Sequence, residues 1–225
     1  MMFLKYTKDL PYSYVFGAFG TIELIKNKAK ECLAVLVDPS FTSNDAYKTI
    51  LSICKTEKIQ VIVDKNIVNK LKDKGNIFVI GVFKKYNSPL SNDNHLVIYK
   101  NNDIGSIGTI IRSMRGFGFI NLVLVDCDID LYHEHLVRST MGAFFQTNIK
   151  QYDTLTDYIN DYKGKTFINI SNEGEVLSTI EQKNNVSLIF SSNSISHKEL
   201  INVSFNQNIP MENIVNIVLF TLYKD

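Results

Sequence analysis

The chain has 225 residues, 45% of them hydrophobic and 21% charged, the make-up of a soluble globular protein with room for two small domains or one generous one. No apolar run approaches the ~20 residues of a membrane span, and "MMFLKYTKDLPYSY" lacks the charged start, apolar centre and cleavage site of a signal peptide, which predicts a cytoplasmic protein. The net charge of +1 divides unevenly: residues 1–92 carry 14 Lys and Arg against 8 Asp and Glu, residues 93–225 carry 10 against 15. A basic first part joined to an acidic second part points to a polyanion partner for the first, against the plainer alternative of a solvated lysine surface. The three cysteines, Cys32, Cys54 and Cys127, are odd in number and far apart inside apolar runs, so they read as reduced core residues and not as a disulfide frame or zinc site.

In chain order, "CLAVLV" (32–37) is a short continuous apolar run, as in a strand buried on both faces. "SNDAYKTILSICKTE" (43–57) predicts a helix with Ser43 as N-cap and Ala46, Ile50, Ile53 and Cys54 on one stripe. Strand "IQVIV" (59–63), helix 65–75 closed by Gly75, and strand "NIFVIGVF" (76–83) complete a small α/β unit. "KKYNSPLSNDN" (84–94) has no periodicity and reads as a connecting segment. Beyond it come strand 95–100, helix 106–117, strand 121–126, helices 131–141 and 154–162, strand 165–170, a turn and helix at 175–182, strand 186–190 and helix 213–223. Strands joined by helices predict a parallel sheet with helices on both faces, and ligands of such sheets sit outside the carboxyl ends of the strands.

"IGSIGTIIRSMRGFGF" (104–119) lies at such a strand end and opens a helix whose free N–H groups favour an anion. Its glycine spacing fits neither the dinucleotide fingerprint nor the Walker loop, which leaves helix–strand packing as the plain reading. Continued through "INLVLVD" and "HLVRSTMGAFFQTNI" (135–149), however, it closely resembles the first motif region of the SpoU/TrmH RNA 2′-O-methyltransferases of the SPOUT superfamily. The match is carried by Ile107, Gly108, Ile110, Ile111, Arg112, Phe117 and Gly118, then by Val137, Arg138, Ser139, Met141, Gly142 and Ala143. "SYVFGAFGTIELIKNK" and "NIFVIGVFKKY" resemble the small substrate-binding domain that precedes many of these enzymes.

The resemblance implies an α/β protein of two parts: a ribosomal-protein-like RNA-binding domain over residues 1–88, a linker over 89–94, and a knotted SPOUT parallel-sheet domain over 95–225. It implies S-adenosylmethionine as cofactor, ribosomal or transfer RNA as partner, and a homodimer formed through the second domain, with no membrane and no metal. Arg112 stands at the family's catalytic arginine. Because a guanidinium keeps its proton, its expected work is to bind the adjacent phosphate and stabilise the developing alkoxide. Lys26, Lys28, Lys30, Lys84 and Lys85 are the expected RNA platform, with Arg112 and Arg138 nearer the reactive pocket.

The likeness fails at the other two motifs. The family's second motif is a strand followed by "G-N-E-G", whereas here "SLIF" is followed by "SSNSIS" (191–196), with Ser191 in the glycine's place and Asn193 in the glutamate's. The similar "SNEG" at 171–174 follows the preceding strand and reads as a turn. The third motif keeps Ile209, Pro210 and Met211 but lacks Ser-Leu-Asn, so Asn213, with Asn216 as its rival, stands for the family asparagine; in the first motif that residue is Ser106. Ser191, Ile209 and Met211 are the expected cofactor contacts. The departures leave two explanations: an S-adenosylmethionine-dependent methyltransferase with an unusual cofactor loop, or a degenerate member that kept RNA binding and lost the cofactor. "HEH" (133–135) and "DCDID" (126–130) lack the further ligands that zinc or calcium needs.

Overall fold

A computed structural model describes residues 3–72, 76–171, 175–176, 184–191, 195–204 and 209–223. Its elements are β1 (Tyr12–Phe16), α1 (Ala18–Asn27), β2 (Cys32–Val37), α2 (Asp45–Glu57), β3 (Val61–Val63), α3 (Lys65–Leu71) and β4 (Val79–Lys84). They continue as β5 (His95–Tyr99), α4 (Ile104–Gly116), β6 (Asn121–Val125), α5 (Glu134–Ser139), β7 (Asn148–Tyr152), α6 (Leu155–Asp161) and β8 (Thr166–Ser171). The chain closes with β9 (Glu175–Val176), β10 (Val186–Ser191), β11 (Leu200–Ser204) and α7 (Met211–Tyr223).

Local chemistry sets most boundaries. The α2 cap is Asn44, not Ser43: the Asn44 side chain accepts from the Ala46 N–H at 2.9 Å. Asp64 caps α3 in the same way, accepting from Asn66 at 2.7 Å; α3 ends at Leu71, and the closing glycine expected at 75 lies outside the described residues. Thr154 caps α6 through the Asp157 N–H at 3.1 Å. The helix expected over 131–141 shrinks to Glu134–Ser139. Where a helix was expected from 175, residues 175–176 are strand, and the rest of that stretch lies outside the described residues.

Two compact units emerge: Met1–Tyr86 with Asp130–Gln146, and Asn87–Ile129 with Thr147–Asp225. Residues 130–146 therefore pack with the first unit although they follow β6 in sequence. The first unit's sheet has the order β1-β4-β2-β3, and β4 runs antiparallel to both β1 and β2, so only β2 and β3 are parallel. Alternation along these strands sends Tyr14, Leu36, Ile80 and Val82 to one face, where Val68 and Leu71 of α3 close the core. Phe83 points to the other side and meets the rings of Phe144 and Phe145 at centroid distances of 6.3 and 5.1 Å.

The second unit carries a seven-stranded sheet in the order β7-β6-β5-β10-β8-β11-β9, parallel throughout. On one face Val97, Val123, Val125 and Ile189 pack against Leu155, Tyr158 and Ile159 of α6. Helix α7 packs on α4 and on β10. Among the buried polar residues of this sheet, which include Asn121 and Asn169, His95 and Ser187 share one hydrogen-bonded chain. His95 holds Ser91 O 2.9 Å from Nε2 and the Tyr158 hydroxyl 2.8 Å from Nδ1, and that hydroxyl lies 2.6 Å from Ser187 Oγ. A carbonyl only accepts, so the Nε2 atom carries the ring proton, Tyr158 donates to Nδ1, and Ser187 donates to Tyr158. Among the described residues no helix is long and apolar enough to cross a membrane, and no group of three His, Cys, Asp or Glu could hold a metal ion.

Candidate active site

The site grows out of the carboxyl ends of β5 and β10, the central strands of the parallel sheet. Ser191, the last residue of β10, pairs in register with Tyr99, the last of β5. Where the resemblance places a turning glycine, the chain is thus still extended strand. Ser191 Oγ lies 3.4 Å from Asn169 Oδ1, and the buried Asn169 amide donates to Asn202 Oδ1 at 2.9 Å. Asn193 lies outside the described residues.

Past Tyr99 the backbone turns through Lys100 at φ +55°. Asn101 accepts from the Asp103 N–H at 2.8 Å, and Asp103 in turn caps α4 by accepting from the Gly105 N–H at 2.9 Å. Helix α4 buries Ser106, Ile107, Gly108, Ile110, Ile111 and Met114. Arg112 leaves the opposite face, exposed, about 9 Å along the axis from Ser106. It makes no ion pair or hydrogen bond with another described residue, so its charge and five donors stay open to an anion.

The start of α7 is tied to this turn. The Asn101 amide donates to Met211 Sδ at 3.4 Å, and Ser106 Oγ donates to Glu212 Oε2 at 2.7 Å. Ser191 at the end of β10 and Met211 therefore both adjoin the chain leaving β5, with half-buried Ile209 two residues ahead of Met211. Of the two candidate asparagines, Asn213 is exposed on the first turn of α7, while Asn216 keeps a buried Oδ1 with no hydrogen-bond partner among the described residues. Asn101, Asn169 and Glu212 were not singled out from the sequence. Only Asn101 left a signal there, as the first residue of an "NND" turn before a helix.

The basic candidates lie in the first unit and differ from one another. Lys26, Lys30, Lys84 and Arg138 are exposed. Lys28 is half-buried with its ammonium 5.0 Å from the centre of the Tyr86 ring. Lys85 donates to Lys8 O at 2.7 Å and sits over the Tyr6 ring at 4.9 Å, and burial holds its pKa below the usual lysine range. Lys28 and Lys85 thus already serve as local packing cations. A polar cleft of about 480 Å³, walled by Asp93, Asn94, Phe117, Asn185 and Tyr223, opens at the amino ends of β5 and β10, the end of the sheet away from Ser191.

The profile of the SpoU rRNA methylase family matches residues 93–217. Among solved structures, an rRNA methyltransferase from Sinorhizobium meliloti superposes with a TM-score of 0.73 at 16% identity, over 93% of this chain and 86% of that one. A TrmH-family protein from Porphyromonas gingivalis gives 0.75 at 14% identity over 93% and 88%. The SpoU methyltransferase AviRb from Streptomyces viridochromogenes, solved in complex with the cofactor AdoMet, gives 0.72 at 14% identity over 95% and 90%. These likenesses are likenesses of fold, and no curated protein matches the chain by sequence. With more than half of its length matched by the family profile, over the segment that carries α4, β10 and the start of α7, the chain belongs to the SpoU rRNA methylase family.

Proposed function

We propose that the protein is an S-adenosylmethionine-dependent RNA 2′-O-ribose methyltransferase, acting on ribosomal or transfer RNA, with a loosened hold on its cofactor. The observation that carries this reading is the placing of Ser191 and Met211 beside the turn from β5 into α4, with Arg112 on that helix exposed and without an ion-pair partner among the described residues. The donor set suits an adenosyl group: Ile209 and Met211 offer half-buried apolar side chains to the base, and Ser191 offers a hydroxyl and backbone at the strand end. Bound there, S-adenosylmethionine supplies the methyl group. Arg112 then holds the phosphate next to the reactive ribose, aligns the 2′-hydroxyl and stabilises the charge that develops on it. Exposed Lys26, Lys30 and Lys84 extend the attraction for RNA across the first unit, with Arg138 adding to it.

The loosened hold follows from Ser191. An extended residue in place of a turning glycine brings fewer backbone N–H groups to the ligand, and each lost hydrogen bond is worth roughly 0.5–1.5 kcal/mol. Calorimetry is expected to give S-adenosylmethionine a dissociation constant above about 10 µM. Slow methyl transfer to RNA should fall about 10²–10³-fold further in Arg112→Ala. RNA binding with no cofactor heat would instead identify a silent RNA-binding member of the family, and micromolar binding with fast turnover would remove the loosened hold.

The same reading includes a knotted second domain and a homodimer. Helix α7 buries Val215, Val218, Leu219 and Leu222 yet leaves Ile217 42% and Phe220 55% exposed, one turn apart on a single stripe. Sedimentation is expected to show a dimer at micromolar concentration and a monomer for Phe220→Glu. A monomeric unaltered protein would rule out the dimer.

A further inference from the structure

The altered positions of the first and third motifs meet in one hydrogen bond. Ser106, where the resemblance expects asparagine, is 6% exposed, and its hydroxyl donates to Glu212 Oε2 at 2.7 Å. Glu212 is the second residue of α7, in the stretch where Ser-Leu-Asn is missing. Beside it, Asn101 holds Met211 by its sulfur. Consecutive residues of α7's first turn are thus each fastened to the segment between β5 and α4. A hydroxyl-to-carboxylate bond in a half-buried place is among the stronger kinds, since one partner is charged and solvent competes poorly. Serine is also too short to reach across as an amide would, and the long arm of glutamate closes the gap from the other side.

We propose that Ser106 and Glu212 are one compensated replacement: a positioning pair that locks the first turn of α7 onto α4 and thereby sets Ile209 and Met211 for the cofactor. Neither residue touches the reacting atoms. This inference rests on the functional reading above, and the two are separable by experiment. Ser106→Ala, Glu212→Gln, Glu212→Ala and the Ser106→Ala/Glu212→Ala double variant are compared with the unaltered protein. Hydrogen exchange of the amides of residues 211–215 reports the lock without cofactor, and calorimetry reports S-adenosylmethionine affinity.

The expected result is exchange about tenfold faster in Ser106→Ala and in Glu212→Ala, with the double variant no faster than either. Cofactor affinity should fall about tenfold in the same pattern. Glu212→Gln, which keeps an acceptor but no charge, should fall between, and Ser106→Thr should restore both readouts. Independent effects that multiply in the double variant would overturn the pair, as would unchanged exchange in Ser106→Ala. Faster exchange with cofactor affinity untouched would overturn its positioning role. If the unaltered protein binds no S-adenosylmethionine, the functional reading fails and the cofactor half of the inference with it, whereas coupled exchange would still uphold the lock.

Discussion

Lowering the pH from 7 to 4.5 should weaken the fold by up to about 3 kcal/mol through one residue, His95. Burial, above all, pulls its imidazole down to about 4, against an ordinary value near 6.5. The unfolded chain therefore takes up this proton before the folded one does. The stabilisation is complete above about pH 6.5 and is lost as the pH falls through the window down to about 4. Geometry gives the same sign: a proton on Nδ1 would face the Tyr158 hydroxyl, which now donates to it and would have to turn its proton toward Ser187, itself now a donor to Tyr158. Urea unfolding at pH 7.5, 5.5 and 4.5 measures the slope. His95→Gln keeps a donor toward Ser91 O but cannot titrate, so it should flatten the curve over that window. A slope that survives the substitution would assign the acid sensitivity elsewhere.

Gly142→Ala should cost the first unit about 2–5 kcal/mol, well beyond ordinary glycine replacement. Gly142 has φ +86°, and a Cβ there would lie 2.7 Å from both Cβ and Cγ of Glu23. Glu23 cannot easily withdraw, because its carboxylate accepts from Gln146 at 2.7 Å and from Asn27 at 3.1 Å. Backbone strain of about 1–2 kcal/mol then adds to steric overlap of about 1–3 kcal/mol. Gly118, at φ +80° with open space around its Cβ position, supplies the control. Gly118→Ala should show the strain alone, so the two denaturation midpoints should differ. Equal losses would mean that Glu23 gives way.

The sequence made the central strands legible because burial on both faces leaves little but Val, Ile and Leu in them. "CLAVLV" and "NLVLV" are strands where they were expected. Two strands toward the ends of that sheet were not legible: "NIKQY" of β7, at its edge, and "LINVS" of β11, next to the two-residue β9, are only partly buried, so their polar residues conceal them. The direction of β4 was equally hidden, since its residues would pack as well parallel as antiparallel, and its neighbours β1 and β2 decide the matter. Within the candidate site, the motifs alone drew attention to Arg112 and Met211. Glu212 drew none, because its partner Ser106 is far away in the chain and neither residue carries the family pattern. Lys28 and Lys85 looked like surface charge until the rings of Tyr86 and Tyr6 appeared beneath them.

The first unit's dependence on residues 130–146 has a consequence for how the protein is made. Phe83 finds its ring partners Phe144 and Phe145 only after the whole of residues 87–129 has been synthesised. At ~5–20 residues per second, Phe83 waits about 3–12 s for these rings, on a sheet face that α1 already covers in part. A gene fragment stopping at residue 88 would leave Phe83 permanently without these rings and so with added exposed apolar surface. One stopping at 146 would carry every strand and ring the first unit needs, together with β5 and β6 separated from the neighbours that β10 and β7 provide. Neither unit of this chain is a passenger that can be cut away from the other.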